Sequence, residues 1–281
     1  MSNLRESNLW MRTLSGVALC IVVVGAVLLS KWSFLALMLI IGVGCLWEFY
    51  ALARKIGYKP QRGLGIALCI ILILGTGLLF DIHLIRLLFS VGAIAMTMIA
   101  ILTVSLYFAV KLFRNHEKPT QNGAITILGV CYTAIPTALL FTAGFFSEAG
   151  YTPWIVLSYI LIVWTNDVGA YLVGVPFGKH RLCERISPKK SWEGFFGGIA
   201  AAVGVAMLAG CLLDESLVKW AILGLVVAVT GVAGDLVESV LKREAGVKDS
   251  GRILPGHGGF LDRFDALLFS APFLFVYLLF W

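Results

Sequence analysis

Nine stretches of about 20 mostly apolar residues follow one another along the chain, near 13–30, 33–52, 64–80, 85–110, 123–146, 153–173, 193–213, 217–239 and 264–281. A helix of that length covers the hydrocarbon core of a bilayer. The expected fold is therefore an all-α, polytopic integral membrane protein with about nine transmembrane helices. Composition agrees, since 59% of residues are hydrophobic and 14% charged, where soluble domains run about a quarter charged. The first stretch follows Arg5 and Arg12 but is followed by no convincing small-x-small cleavage site, so it reads as a retained helix.

The segments between the stretches share their cations unevenly. Of the 22 lysines and arginines, all but Lys31, Arg86 and Lys219 fall on the side that holds the N-terminus. The positive-inside rule then places the N-terminus in the cytoplasm and the C-terminus outside. The net charge of +6 is a topological signal that needs no nucleic-acid partner, and a basic rim suits anionic lipid. Five of the six cysteines fall inside apolar stretches with no paired spacing, and Cys183 alone sits in a loop. They read as small buried residues without metal or redox duty.

The external links are short turns. The cytoplasmic links 174–192 and 240–263 are longer and dense in Gly, Pro and charge, as functional loops on a rigid scaffold are. Ionisable groups at membrane depth are costly and mark function by default. The sixth stretch carries Asn166 and Asp167, and the eighth carries Asp235 and Glu238.

On a helix Asp235, Glu238, Ser239 and Lys242 form one stripe, with Asp235 about 10 Å below Lys242. That depth is near the headgroup boundary. Glu193 opens the seventh stretch, and Asp262 and Asp265 share one face at the start of the ninth. Three helices and two loops can thus bring acids to one shallow place. A domain spanning 1–281 is expected, with N-terminal helices in 1–122 and catalytic helices in 123–281.

Clustered carboxylates without Cys or several His prefer a hard cation, and Asp oxygens suit Mg²⁺ that also holds phosphates. A second cation is compatible with that many acids. Ser187-Pro188-Lys189-Lys190-Ser191 precedes a helix, offering hydroxyls, ammoniums and free backbone N–H groups to phosphate. Glycines at 246, 251, 256, 258 and 259 allow backbone to approach a ligand closely, whereas Gly194, Gly197 and Gly198 suit close helix packing. His257 is the histidine beside the acids; His83, His116 and His180 read as polar surface. Metal, cations and depth together imply chemistry on a phosphorylated or nucleotide-activated lipid.

From Ser239 to Asp265 the chain reads S-x-L-K-R-x4-K-D-x-G-x2-L-P-x-H-G-G-F-x-D-R-F-D. This resembles the signature of phosphatidate cytidylyltransferases, also called CDP-diacylglycerol synthases. TNDVGAY at 165–171 and SPKKSWEGFFGG at 187–198 are similar to the family's earlier segments, so the likeness covers residues 160–281. Val168 departs from the pattern, since relatives often carry a small hydroxyl there.

The resemblance implies that CTP and phosphatidate are the substrates and that CDP-diacylglycerol and pyrophosphate are the products. The site expected from it has Asp235, Asp262 and Asp265 holding Mg²⁺, with Asp249 supporting that cluster or the nucleotide. Lys242, Arg243 and Lys248 meet phosphates. Ser187, Lys189, Lys190 and Glu193 face the nucleotide, and Asn166, Asp167 and His257 complete the substrate site. Together with the topology it implies a bacterial plasma-membrane enzyme with its active site facing the cytoplasm. The oligomeric state stays open, a homodimer included. A CTP-dependent lipid-alcohol kinase or an ether-lipid cytidylyltransferase would present similar headgroup chemistry. A secondary transporter would instead place its charges near the midplane at a repeat interface.

Overall fold

The structure is a computed structural model that describes residues 2–79, 118–147, 150–251, 253 and 258–281, with side chains from residue 13 on. Eight helices are described. In order they are α1 (Ser2–Leu29), α2 (Lys31–Ile56), α3 (Arg62–Leu79), α4 (Pro119–Ala143), α5 (Trp154–Phe177), α6 (Trp192–Leu212), α7 (Leu217–Glu244) and α8 (Leu261–Leu279). Between α5 and α6 lies a small antiparallel hairpin of β1 (Arg181–Cys183) and β2 (Ser187–Ser191).

Each expected apolar stretch but one coincides with a helix; the stretch 85–110 lies outside the described residues. Among the described residues five helices, α2, α4, α5, α6 and α7, are long and apolar enough to cross a membrane, and shorter apolar helices run over Thr13–Leu29 and Arg62–Leu78. The chain is an all-α integral membrane protein.

Local chemistry sets the helix ends. Ser30 and Ser33 form a reciprocal capping box at the start of α2, and the Ser33 hydroxyl also donates to the Ala26 carbonyl of α1 at 2.7 Å. Those bonds satisfy donors that α2 could not pair internally and make the α1–α2 link a single residue. At the other end Gly57 adopts φ 107°, and its N–H closes α2 onto Ala53 and Arg54, a left-handed cap that disfavours a side chain. Helix α7 continues to Glu244 with Lys242 and Arg243 in its last turn, where cations complement the helix dipole. The whole Asp235-to-Lys242 stripe is therefore helical.

Small residues let the helices approach. A Cβ on Gly169 of α5 would lie 2.7 Å from Ala201 of α6, and one on Gly198 would lie 2.6 Å from the Asn166 Oδ1. Gly194, Gly197 and Gly198 thus serve helix packing, as their spacing suggested. Gly234 of α7 faces α8, and a Cβ there would come within 2.8 Å of the Asp265 carbonyl.

Tyr159 of α5 bonds the Leu267 carbonyl at 2.6 Å and sits 2.7 Å from the Ser270 Oγ. Phe34, Tyr50, Tyr159, Trp220 and Leu261 are among the largest buried side chains, while Leu172, Val175, Leu208 and Leu212 are exposed. Lipid can cover such outward apolar faces. The six cysteines are free; Cys45 and Cys69 are buried, but Cys20, Cys131 and Cys211 lie on exposed helix faces, correcting the expectation that they fill the interior.

Candidate functional site

The close contact at Gly234 places Asp235 opposite Asp265. Oxygens of Asp235, Glu238 and Asp265 lie within 4.8 Å of one another. Glu238 is 1% exposed. Its Oε2 pairs with the Lys242 Nζ at 2.5 Å, while its Oε1 has no hydrogen-bond partner among the described residues.

Lys242 bonds a second carboxylate as well, the Asp262 Oδ1 at 2.7 Å. The other Asp262 oxygen accepts from the Ser250 N–H at 2.8 Å and the Gly259 N–H at 2.9 Å, with the Ser250 Oγ also 2.9 Å away. The acid that opens α8 thereby gathers Ser250 and Gly259 around itself. Gly258 makes this possible with φ 85°, and a Cβ there would lie 2.8 Å from the same oxygen.

The hairpin brings a second ammonium. Lys190 of β2 forms an ion pair with Asp235, whose Oδ1 also accepts from the Ser239 hydroxyl at 3.3 Å. Arg243 donates from Nε to the Ile186 carbonyl at 3.5 Å, a long bond that holds the turn of the hairpin near the end of α7. Ser191 caps α6 by accepting from the Gly194 N–H at 3.1 Å, which sets the hairpin on that helix. Asp167, on an outward face of α5, interacts electrostatically with Lys190, Asp235 and Arg263.

Other expected residues stand apart. Glu193 accepts from the His180 backbone N–H at 3.2 Å and lies 2.7 Å from that residue's Nδ1, so it fastens the start of the hairpin. Asn166 is buried between helices, with Nδ2 3.4 Å from the Ala228 carbonyl. Lys248 and Asp249 line a cleft of about 470 Å³ together with Lys55, Val247, Ser250 and Gly251. Lys189 is exposed on β2 and Ser187 half-buried at its start. His257 lies outside the described residues.

Sequence reasoning passed over Glu48. This residue of α2 is 2% exposed and accepts from the Ser250 hydroxyl at 2.7 Å, the Phe260 N–H at 3.0 Å and the Leu261 N–H at 2.9 Å. The rule that singled out Asp235, an ionisable group inside an apolar run, applies equally to Glu48. Glu238 lies on the polar stripe, but only its burial and its closeness to Asp235 and Asp265 mark it as a candidate ligand.

Four carboxylates, Asp235, Glu238, Asp262 and Asp265, thus face two ammoniums, Lys190 and Lys242. Two like charges 4 Å apart repel by about 4 kcal/mol at an effective dielectric near 20. An oxygen-only donor set with surplus negative charge and a buried, unpartnered Glu238 Oε1 fits a hard divalent cation. The ammoniums beside it fit phosphate.

The family model described as "Cytidylyltransferase family" matches residues 10–281. Among curated proteins, the phosphatidate cytidylyltransferase of Staphylococcus aureus (strain COL) is 49% identical over 126 residues, covering 44% of this chain and 48% of that protein. The phosphatidate cytidylyltransferase of Staphylococcus epidermidis (strain ATCC 12228 / FDA PCI 1200) matches to the same extent. That of Staphylococcus saprophyticus is 46% identical over the same length. The chain spans about half the length of the curated relatives it matches.

Proposed function

The chain belongs to the cytidylyltransferase family, and on that premise we propose that it transfers the cytidylyl group of CTP to phosphatidate, giving CDP-diacylglycerol and pyrophosphate for phospholipid biosynthesis. The observation that carries this reading is the meeting of Lys190 from the hairpin with Asp235 of α7, beside Glu238, Asp265 and the Lys242–Asp262 pair. Both loop regions that match the family's pattern converge on one acid cluster.

The chemistry asks little of a general base. Phosphatidate carries a phosphate monoester whose second pKa is about 6, so it is largely a dianion at neutral pH. One of its oxygens forms the new bond to the α-phosphorus of CTP. The bond from that phosphorus to the bridging oxygen breaks, and pyrophosphate leaves with the electron pair. Two polyanions must be held in line, which is positioning and charge stabilisation.

Lys190 and Lys242, now on carboxylates, are placed to turn to phosphate oxygens, joined by Arg243 and, along the cleft beside Lys55, by Lys248 with Asp249. Ser187, Lys189, Glu193, Asn166 and Asp167 shape the nucleotide side. Asp235, Asp262 and Asp265, with Glu238, would hold Mg²⁺ and allow a second cation. Bound there, the metal supplies charge stabilisation for the phosphates and the leaving pyrophosphate. The site lies at the cytoplasmic rim of a nine-span, N-in bundle in the bacterial plasma membrane, where a lipid head reaches it without leaving its leaflet.

The test is to incubate the detergent-purified protein with Mg²⁺ and CTP labelled in cytidine or at the γ-phosphate, with phosphatidate, diacylglycerol or a long-chain polyprenol as acceptor. Cytidine label entering the lipid phase with phosphatidate alone supports the proposal. Transfer of γ-label to an alcohol replaces it with a kinase.

A further inference from the structure

We propose that Glu48, in the N-terminal half of the chain, is a positioning residue for the reaction. It holds Ser250 and the start of α8 so that Asp262 and Lys242 meet the acid cluster. The inference rests on the reading of that cluster as the place of cytidylyl transfer.

The first N–H groups of any helix lack partners within it. Phe260 stands at the N-cap of α8 and has no side-chain oxygen to supply one. The missing acceptor comes from another helix: Glu48 Oε1 takes the Phe260 N–H at 3.0 Å, and Oε2 takes the Leu261 N–H at 2.9 Å. A carboxylate at a helix N-terminus is also favoured by the helix dipole.

The Ser250 hydroxyl extends this contact, lying 2.7 Å from Glu48 Oε2 and 2.9 Å from Asp262 Oδ2. A relay therefore runs from Glu48 through Ser250 and Asp262 to Lys242 and Glu238. The backbone is shaped around it. A Cβ on Gly251 or Gly259 would run into the Glu48 carboxylate, so these two loop glycines make room for this side chain.

Burying a carboxylate costs several kcal/mol unless its lone pairs are satisfied. Three donors meet that need here, and each belongs to the segment that carries Asp262 or leads into it. Glu48 touches no reacting group; it acts through where it puts Asp262. Gln in its place keeps the shape but must turn its NH₂ toward at least one of the three donors, since both oxygens are engaged.

The experiment uses the full chain in detergent, comparing wild type, Glu48→Gln, Ser250→Ala and the double variant. Expected for Glu48→Gln are a fall of about 10²-fold in kcat, a KM for CTP within about threefold of wild type, and faster hydrogen exchange at the Phe260 and Leu261 amides. Ser250→Ala should also lower kcat, and the double variant should be no slower than the slower single one, because both cut the same relay.

Wild-type kcat in Glu48→Gln, unchanged exchange at residues 260 and 261, or multiplicative losses in the double variant would each overturn the proposal. If Glu48→Gln fails to insert, Ser250→Ala decides. Slowed turnover with faster exchange at Phe260 supports the relay, and wild-type behaviour in both refutes it. If the wild-type protein transfers no cytidylyl group, the functional reading fails and the positioning role with it. The exchange data then still report whether Glu48 grips the loop.

Discussion

The Lys242 Nζ lies 2.7 Å from the Asp262 Oδ1, bonding the last turn of α7 to the first turn of α8 across the glycine-rich loop between them. The same ammonium holds the buried Glu238. Lys242 is thus the counter-charge that allows two acids to stand inside the bundle.

Replacing that ammonium should be costly on two counts. Lys242→Met leaves Glu238 and Asp262 without their shared cation, and breaking a buried ion pair from one side typically costs about 3–5 kcal/mol. We expect a lower unfolding temperature together with cytidylyl transfer at the background rate. A variant that melts like wild type would show that the pair contributes little.

Asp235 behaves differently because its side chain is 37% exposed. Asp235→Asn should insert and purify normally, with a stability change within about 1 kcal/mol, yet lose about 10²-fold or more of its turnover. Normal turnover in this variant would remove Asp235 from the proposed metal site.

Glu238→Gln separates cation binding from folding. Removing one of four clustered negative charges should raise the melting temperature in chelator, because repulsion among Asp235, Glu238 and Asp265 falls. The half-saturating Mg²⁺ concentration for turnover should rise by about 10–100-fold. Binding of Mn²⁺ followed by its spin resonance would read the affinity directly, and equal affinity in both proteins would exclude Glu238 as a ligand.

Helix contact can be tested through glycine. Gly234→Val pushes a side chain toward the Asp265 carbonyl and Phe269, an overpacking that costs about 1–3 kcal/mol, and should move Asp265 away from Asp235 so that turnover falls. Gly204→Ala, where a Cβ meets nothing within 4 Å, is the control and should be neutral or slightly stabilising. Thermal unfolding and label transfer measured on both variants give the comparison.

Much of the membrane architecture was legible in the chain because its cause is local. A helix needs about 20 consecutive apolar residues to cross lipid, and that demand is met within each segment without reference to any other. The Asp235, Glu238, Ser239, Lys242 stripe was legible for the same reason, since helical periodicity alone aligns it. The 181–191 hairpin was not, because its short strands carry polar residues and, among the described residues, pair with each other alone.

Tertiary structure alone decided the partners. Nothing in the order of residues says that Lys190 lies on Asp235, that Glu193 turns to His180, or that Glu48 caps a helix that starts 213 residues later at Leu261. Such pairings depend on which helix faces meet and how closely glycines let them come. Residue type and spacing determined that acids and cations would stand at the end of α7 and the start of α8, joined by a glycine-rich segment. Packing determined that the Glu238 Oε1 has no hydrogen-bond partner among the described residues while both Glu48 oxygens are taken by Ser250 and the start of α8, because burial and donor count are properties of the assembled bundle.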